Sequence, residues 1–209
     1  MFDGSGSAAQ QNDAASYHRR MRNTAELRDE ILAAARAEFA QYGLAGARID
    51  RIAKEANASK ERLYAHFGDK ESLFNQVVLA DAGEMFGAIE LLPDDVAGFV
   101  GQIFDMVRER PDHIRMVDWA RLERVRLHLP DGDSVHFVEK MRGALREAQA
   151  RGLVDERWDP ADLLTMLFGL GLSWVQSPDP SADTTNKKVI ARRRADAVEA
   201  ARRIIAPAD

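Results

Sequence analysis

Apolar residues recur every three or four positions along most of this chain and nowhere alternate with period two, which predicts helices throughout and no sheet. From about Asn23 the series Leu27, Ile31, Ala35, Phe39 and Tyr42 marks the buried stripe of a first helix. Asn23 and Glu26 are spaced as a capping box at its start, and Gly43 ends it. Three segments follow closely, marked by Ile49, Ile52, Ala53 and Ala56, then Leu63, Tyr64 and Phe67, then Leu73, Phe74, Val77 and Val78. The breaks between them are Asn57-Ala58 and Gly68-Asp69. Asparagine tolerates a left-handed backbone better than other non-glycine residues, so Asn57 can close a tight turn, and Ser59 is placed to cap the helix beyond it. Two short helices joined this way match a helix-turn-helix. Further on, Pro93-Asp94-Asp95, Pro111, Pro130 to Asp133 and Asp159-Pro160 punctuate more helices. Ser177 to Asn186 is a polar loop, and Lys187 to Ile205 is a closing helix. About nine helices are expected. Residues 1–17 are too polar and glycine-rich to offset the entropy of ordering and are expected to be disordered.

The register of the segment after Gly43 is distinctive. Ile52-Ala53, the turn at Asn57, Leu63-Tyr64 with His66-Phe67, and Lys70-Glu71 with Leu73 together resemble the DNA-binding region of the TetR family of transcriptional regulators, over residues 24–75. The resemblance implies an all-α protein in which a three-helix DNA-binding domain (23–75), preceded by a tail with a basic arm (1–22), leads into a helical-bundle domain for effector binding and dimerisation (76–209). It implies double-stranded operator DNA as partner, a homodimer on a pseudo-palindrome, and a small, largely apolar effector that releases a repressor. No cofactor or metal is implied.

In a helix-turn-helix the second helix enters the major groove and its N-terminal residues meet base edges. Here Leu63 and Phe67 anchor that helix, leaving Ser59, Lys60, Glu61, Arg62, Tyr64, Ala65 and His66 for DNA. Arg62 and Lys60 suit guanine O6 and N7, and Glu61 suits a cytosine amino group. The resemblance gives Tyr64, His66 and Lys70 to the phosphate backbone. Arg48 stands where relatives carry a hydroxyl, exchanging a neutral phosphate contact for a charge-assisted one. Asn57 replaces the usual turn glycine, and Glu61 and Arg62 replace small residues. The alternative for these charges is a solvated face, and Glu61 is favourable near a helix start on dipole grounds alone. A zinc or general-base role for His66 lacks a companion ligand at suitable spacing. The run His18-Arg19-Arg20-Met21-Arg22 is either a minor-groove arm or a solubilising tail.

For the second domain, the resemblance assigns the dimer interface to the last two helices, through Leu163, Met166, Leu167, Leu170 and Trp174, then Val189, Ala197, Val198, Ala201 and Ile204, with Gly169 and Gly171 permitting close approach. The candidate effector pocket is Phe86, Phe104, His113, Met116, Asp118, Trp119, Phe137 and Met141, a mainly apolar set with a few polar groups. Met and aromatic residues at helical spacing also serve as ordinary core.

Composition narrows the alternatives. The chain has 209 residues, 45% hydrophobic and 30% charged, enough for a substantial core. With no cysteine there is no disulfide, thiolate nucleophile or Cys-based zinc site. No apolar run reaches the roughly 20 residues of a membrane span, and the N-terminus lacks a secretory core, so a cytoplasmic protein with no membrane partner is expected. Gly-x-Ser-x-Gly, His-Glu-x-x-His, phosphate-loop and Gly-x-Gly-x-x-Gly motifs are absent. The reading is a regulator and not an enzyme; the competing readings are a helical interaction module or a helical enzyme without a recognisable motif. The net charge of −5, taken alone, disfavours DNA, but residues 18–80 carry +2 while 81–209 carry −5. A weakly basic reader joined to an acidic body fits both numbers.

Overall fold

The computed structural model describes the backbone of residues 6–124 and 133–207, and side chains of 24–124, except Phe86, and 136–207. The helices are α1 (Gly6–Gly46), α2 (Ile49–Glu55), α3 (Lys60–Phe67), α4 (Lys70–Ala88), α5 (Val96–Glu109), α6 (Pro111–Leu122), α7 (Asp133–Ala150), α8 (Pro160–Leu172) and α9 (Lys187–Ile205). A short 3-10 turn, Pro180–Ala182, sits in the polar loop, and there is no strand among the described residues. No described helix is long and apolar enough to cross a membrane.

The chain divides into two compact units, Met1–Val78 with Arg115–Arg126, and Leu79–Ile114 with Leu127–Asp209. In the first, α1 buries Leu27, Ile31, Ala35 and Phe39, and Phe39 meets Phe74 edge to face at 5.1 Å. The sequence pattern starts α1 near Asn23 and leaves residues 1–17 disordered, whereas the helix begins at Gly6. The reason is local: Ala8, Ala9, Gln10, Gln11, Ala14 and Ala15 are good helix formers, and extending a helix already nucleated downstream costs little. The backbone of the basic run 18–22 is part of the same helix, and its side chains lie outside the described residues. So do residues 1–5 and most of the break expected at Pro130 to Asp133.

Inclusion of 115–126 in the first unit departs from the expectation that everything after residue 76 belongs to the second. The second half of α6 buries Met116 and Ala120, and the Trp119 Nε1–H donates to the Ala40 carbonyl at 3.2 Å.

In the second unit α5 is the central helix, with nine buried residues from Val96 to Val107, packed by α8 and α9. Phe99 meets Phe168 at 5.4 Å and Phe104 meets Trp174 at 5.6 Å, both edge to face. The Trp158 Nε1–H bonds the Ile204 carbonyl at 3.0 Å, fixing the end of α9.

Candidate nucleic-acid interface

The turn between α2 and α3 is a Schellman motif. Asn57 takes φ 52°, the Ala58 N–H reaches back to the Ala53 carbonyl at 2.9 Å, and the Asn57 N–H reaches Lys54 at 3.2 Å. Asparagine therefore fills the left-handed position expected of it. Ser59 then caps α3, its Oγ accepting from the Arg62 N–H at 3.3 Å. Leu63 and Phe67 are 0% and 3% exposed, so α3 is held by one face and shows the other to solvent.

That outer face carries Lys60, Glu61, Arg62, Tyr64 and Ala65, all exposed, with His66 at its half-buried margin. Its members differ in how committed they are. Lys60 is paired with Asp50 at 2.5 Å, and both are exposed, so the pair is weak and exchangeable for a DNA contact. The pairing raises the Lys60 ammonium above its ordinary pKa, first through the hydrogen bond to Asp50. The Glu61 carboxyl is held below its ordinary range by its own backbone N–H and then by the Ser59 hydroxyl, so it is ionised at neutral pH. Among the described residues, the guanidinium groups of Arg62 and Arg48 make no hydrogen bond or ion pair and are available. Lys70 differs: its Nζ donates to the Ala45 and Ala47 carbonyls at 3.4 and 3.2 Å, closing the corner between α1 and α2.

That corner holds residues sequence reasoning does not find. Gly43 breaks α1 with φ 67°, ψ −179°, a conformation essentially restricted to glycine. Both Glu123 carboxylate oxygens accept from the Ala45 N–H at 3.2 Å. Buried Glu38 accepts from the Arg48 N–H at 2.8 Å, anchoring the first turn of α2. It also accepts from Arg51 Nε at 2.8 and 3.0 Å, and Arg51 stacks on Tyr42 at 4.2 Å. Residues 38 and 51, or 45 and 123, share no periodic signal; only Gly43, as a helix stop, is visible in advance.

The predicted effector set is dispersed. Met116, Asp118 and Trp119 lie in the first unit, where Trp119 packs on Gly43 and Asp118 sits 3.9 Å from Arg121. Phe104 and Met141 are ordinary core of the second unit, and half-buried Phe137 packs against it. The side chain of Phe86 lies outside the described residues. His113 lines a recess, with Met85, Met106, Val107, Arg110 and Ile114.

The predicted dimer residues also divide. Leu163, Leu167, Ala197, Val198 and Ala201 are at most 8% exposed within the single chain, because α5 consumes the inward faces of α8 and α9. Met166, Leu170, Trp174, Val189 and Ile204 are only partly covered. Gly171 serves this internal packing: a Cβ there would lie 2.4 Å from Ile103 Cγ2, whereas Gly169 faces open space.

Two family models match the chain. Residues 31–77 match the family of bacterial regulatory proteins of the tetR family, and 95–203 match the tetracyclin repressor-like C-terminal domain. The HTH-type transcriptional repressor SCO4008 of Streptomyces coelicolor is 35% identical over 142 residues, 67% of this chain and 73% of that protein. The HTH-type transcriptional repressor AcnR of Corynebacterium jeikeium is 31% identical over 140 residues, covering 62% and 69%. Among solved structures, the putative transcriptional regulator SCO4942 of Streptomyces coelicolor superposes with a TM-score of 0.75 at 38% identity, over 85% of this chain and 97% of that one. A capped reading helix on a Schellman turn, ahead of a bundle that matches the family's own second domain, leaves one assignment: the chain belongs to the TetR family of transcriptional regulators, proteins that bind DNA and are not enzymes.

Proposed function

We propose that this protein is a repressor that binds a pseudo-palindromic operator as a homodimer, with α3 in the major groove, and is released by a small molecule. The observation that carries the reading is the outer face of α3, where Arg62 is exposed and uncommitted on a helix fixed at both ends. Arg62 and Lys60 read bases; Ser59, Tyr64, His66 and Arg48 hold phosphates; Glu61 discriminates by accepting from cytosine and repelling misplaced phosphate. Lys70 shapes the corner as well as adding positive charge. The dimer forms through the outward faces of α8 and α9, using Met166, Leu170, Val189 and Ile204.

Release has a physical route. Helix α6 runs unbroken from His113 toward Trp119, with Glu123 just beyond its end, and these two residues grip the Gly43 corner. A ligand that favours a different position of α6 changes the set of the reading head, and DNA affinity falls by the difference in ligand affinity between the two states. Selection of operator sequences from random DNA tests the core of this reading. A two-fold symmetric consensus bound by two protomers per site supports it; an asymmetric site bound by one protomer refutes it.

A further inference from the structure

We propose that the recess around His113 is the point at which the effector is anchored, and that it takes a neutral, apolar ring compound bearing a hydroxyl donor, such as a simple phenol; this rests on the effector-release reading above. His113 is 6% exposed, and neither ring nitrogen has a hydrogen-bond partner. Its Nδ1 lies 3.5 Å from Asp81 Oδ2, with Asp81 4% exposed. The recess is narrow, and the side chains that line it leave the demand of the ring unmet. A buried polar group left unpaired is costly, and a leucine or phenylalanine would fill this position at less cost. What imidazole provides here is a polar atom for something that opens the recess.

The surroundings select the chemistry of that ligand. The Asp81 carboxylate favours the tautomer with the proton on Nδ1, which makes Nε2 an acceptor that needs a donor. The neighbouring cation, Arg110, is already paired with Glu84. An entering carboxylate would have to displace Glu84 from Arg110 and would still meet the Asp81 carboxylate beside the imidazole, so a carboxylate ligand is disfavoured. The remaining walls are Met85, Met106, Val107 and Ile114. Thioethers adapt to a ligand's outline and contact aromatic rings favourably. One hydroxyl on an apolar ring satisfies both requirements.

The test uses the full-length protein and three probes of matched size: 4-ethylphenol, 4-ethylanisole and 4-ethylbenzoate. Calorimetry on the wild-type protein is expected to give at least about tenfold tighter binding for the phenol than for the other two, a difference within reach of one buried hydrogen bond. His113→Phe removes the acceptor and is expected to erase the preference of phenol over anisole, while His113→Gln, which keeps an acceptor, retains part of it. Imidazole nitrogen resonances of the wild-type protein, followed during phenol addition, report contact at Nε2 without any variant. Equal binding of phenol and anisole, preference for the benzoate, no binding up to solubility, or an unmoved His113 resonance each overturns the proposal. Operator binding measured on the same samples separates the two levels. Intact operator binding with no phenol response refutes only the ligand assignment, whereas a protein that selects no operator refutes the regulatory reading beneath it.

Discussion

Replacing Gly43 with alanine tests the corner that sets the reading head. The backbone there has φ 67° and ψ −179°, where an L side chain costs about 1–3 kcal/mol. The new Cβ would also lie 2.5 Å from Glu123 Oε1 and 2.7 and 2.9 Å from Trp119 ring carbons. The Glu123 carboxylate can swing away, but only by releasing the Ala45 N–H. The Trp119 ring is held by its bond to the Ala40 carbonyl, so the overlap behaves as overpacking, worth about another 1–3 kcal/mol. The expected loss is about 2–5 kcal/mol, a large fraction of the roughly 5–15 kcal/mol that stabilises a typical domain. In urea unfolding of the full chain this appears as a midpoint lowered by about 1–2 M. Repeating Gly43→Ala in a Trp119→Ala background separates the components: the penalty should shrink toward the backbone cost alone. A change within about 0.5 kcal/mol of wild type, or an identical penalty in both backgrounds, would refute the account of this corner.

Four further outcomes follow from the same geometry. Arg62→Ala should relax base preference at one position per half-site, costing about 1–3 kcal/mol of discrimination in competition binding. Arg48→Ala should weaken binding to all sequences and lower the salt slope by about one per half-site with an unchanged urea midpoint, whereas Lys70→Ala should also lower the midpoint, because Ala45 and Ala47 lose a donor. Gly171→Ala should destabilise the chain by about 1–3 kcal/mol through overlap with Cγ2 and Cβ of Ile103, read on thermal unfolding. The carboxyls of Asp155 beside Arg157, Glu139 beside Arg142, Glu199 beside Arg203 and Asp69 at the Ser72 backbone N–H are all held below their ordinary values. In each case the unfolded chain takes up its proton first as pH falls, so this stabilisation is complete above about pH 5 and is lost as pH drops through 4 and below, which urea midpoints at pH 7 and pH 3 would show.

The reading head and the helical class are legible in the residues alone. Helical periodicity, the Asn57 turn, the Ser59 cap and the Leu63 and Phe67 anchors all act within a few residues, where local propensity and patterning decide the outcome. The helical backbone from Gly6 onward is local in the same sense, continuing a helix that its residues favour. The rest depends on contacts between residues distant in sequence. Trp119 bonds the Ala40 carbonyl and Glu123 the Ala45 N–H, 79 and 78 residues away in sequence, which no local pattern announces. Leu163, Leu167 and Ala201 are buried within the single chain because α5 packs on them, although their apolarity is equally consistent with an exposed interface. An apolar residue records that something must cover it; which surface does so is settled only when the helices are packed, since the hydrophobic effect has no direction of its own.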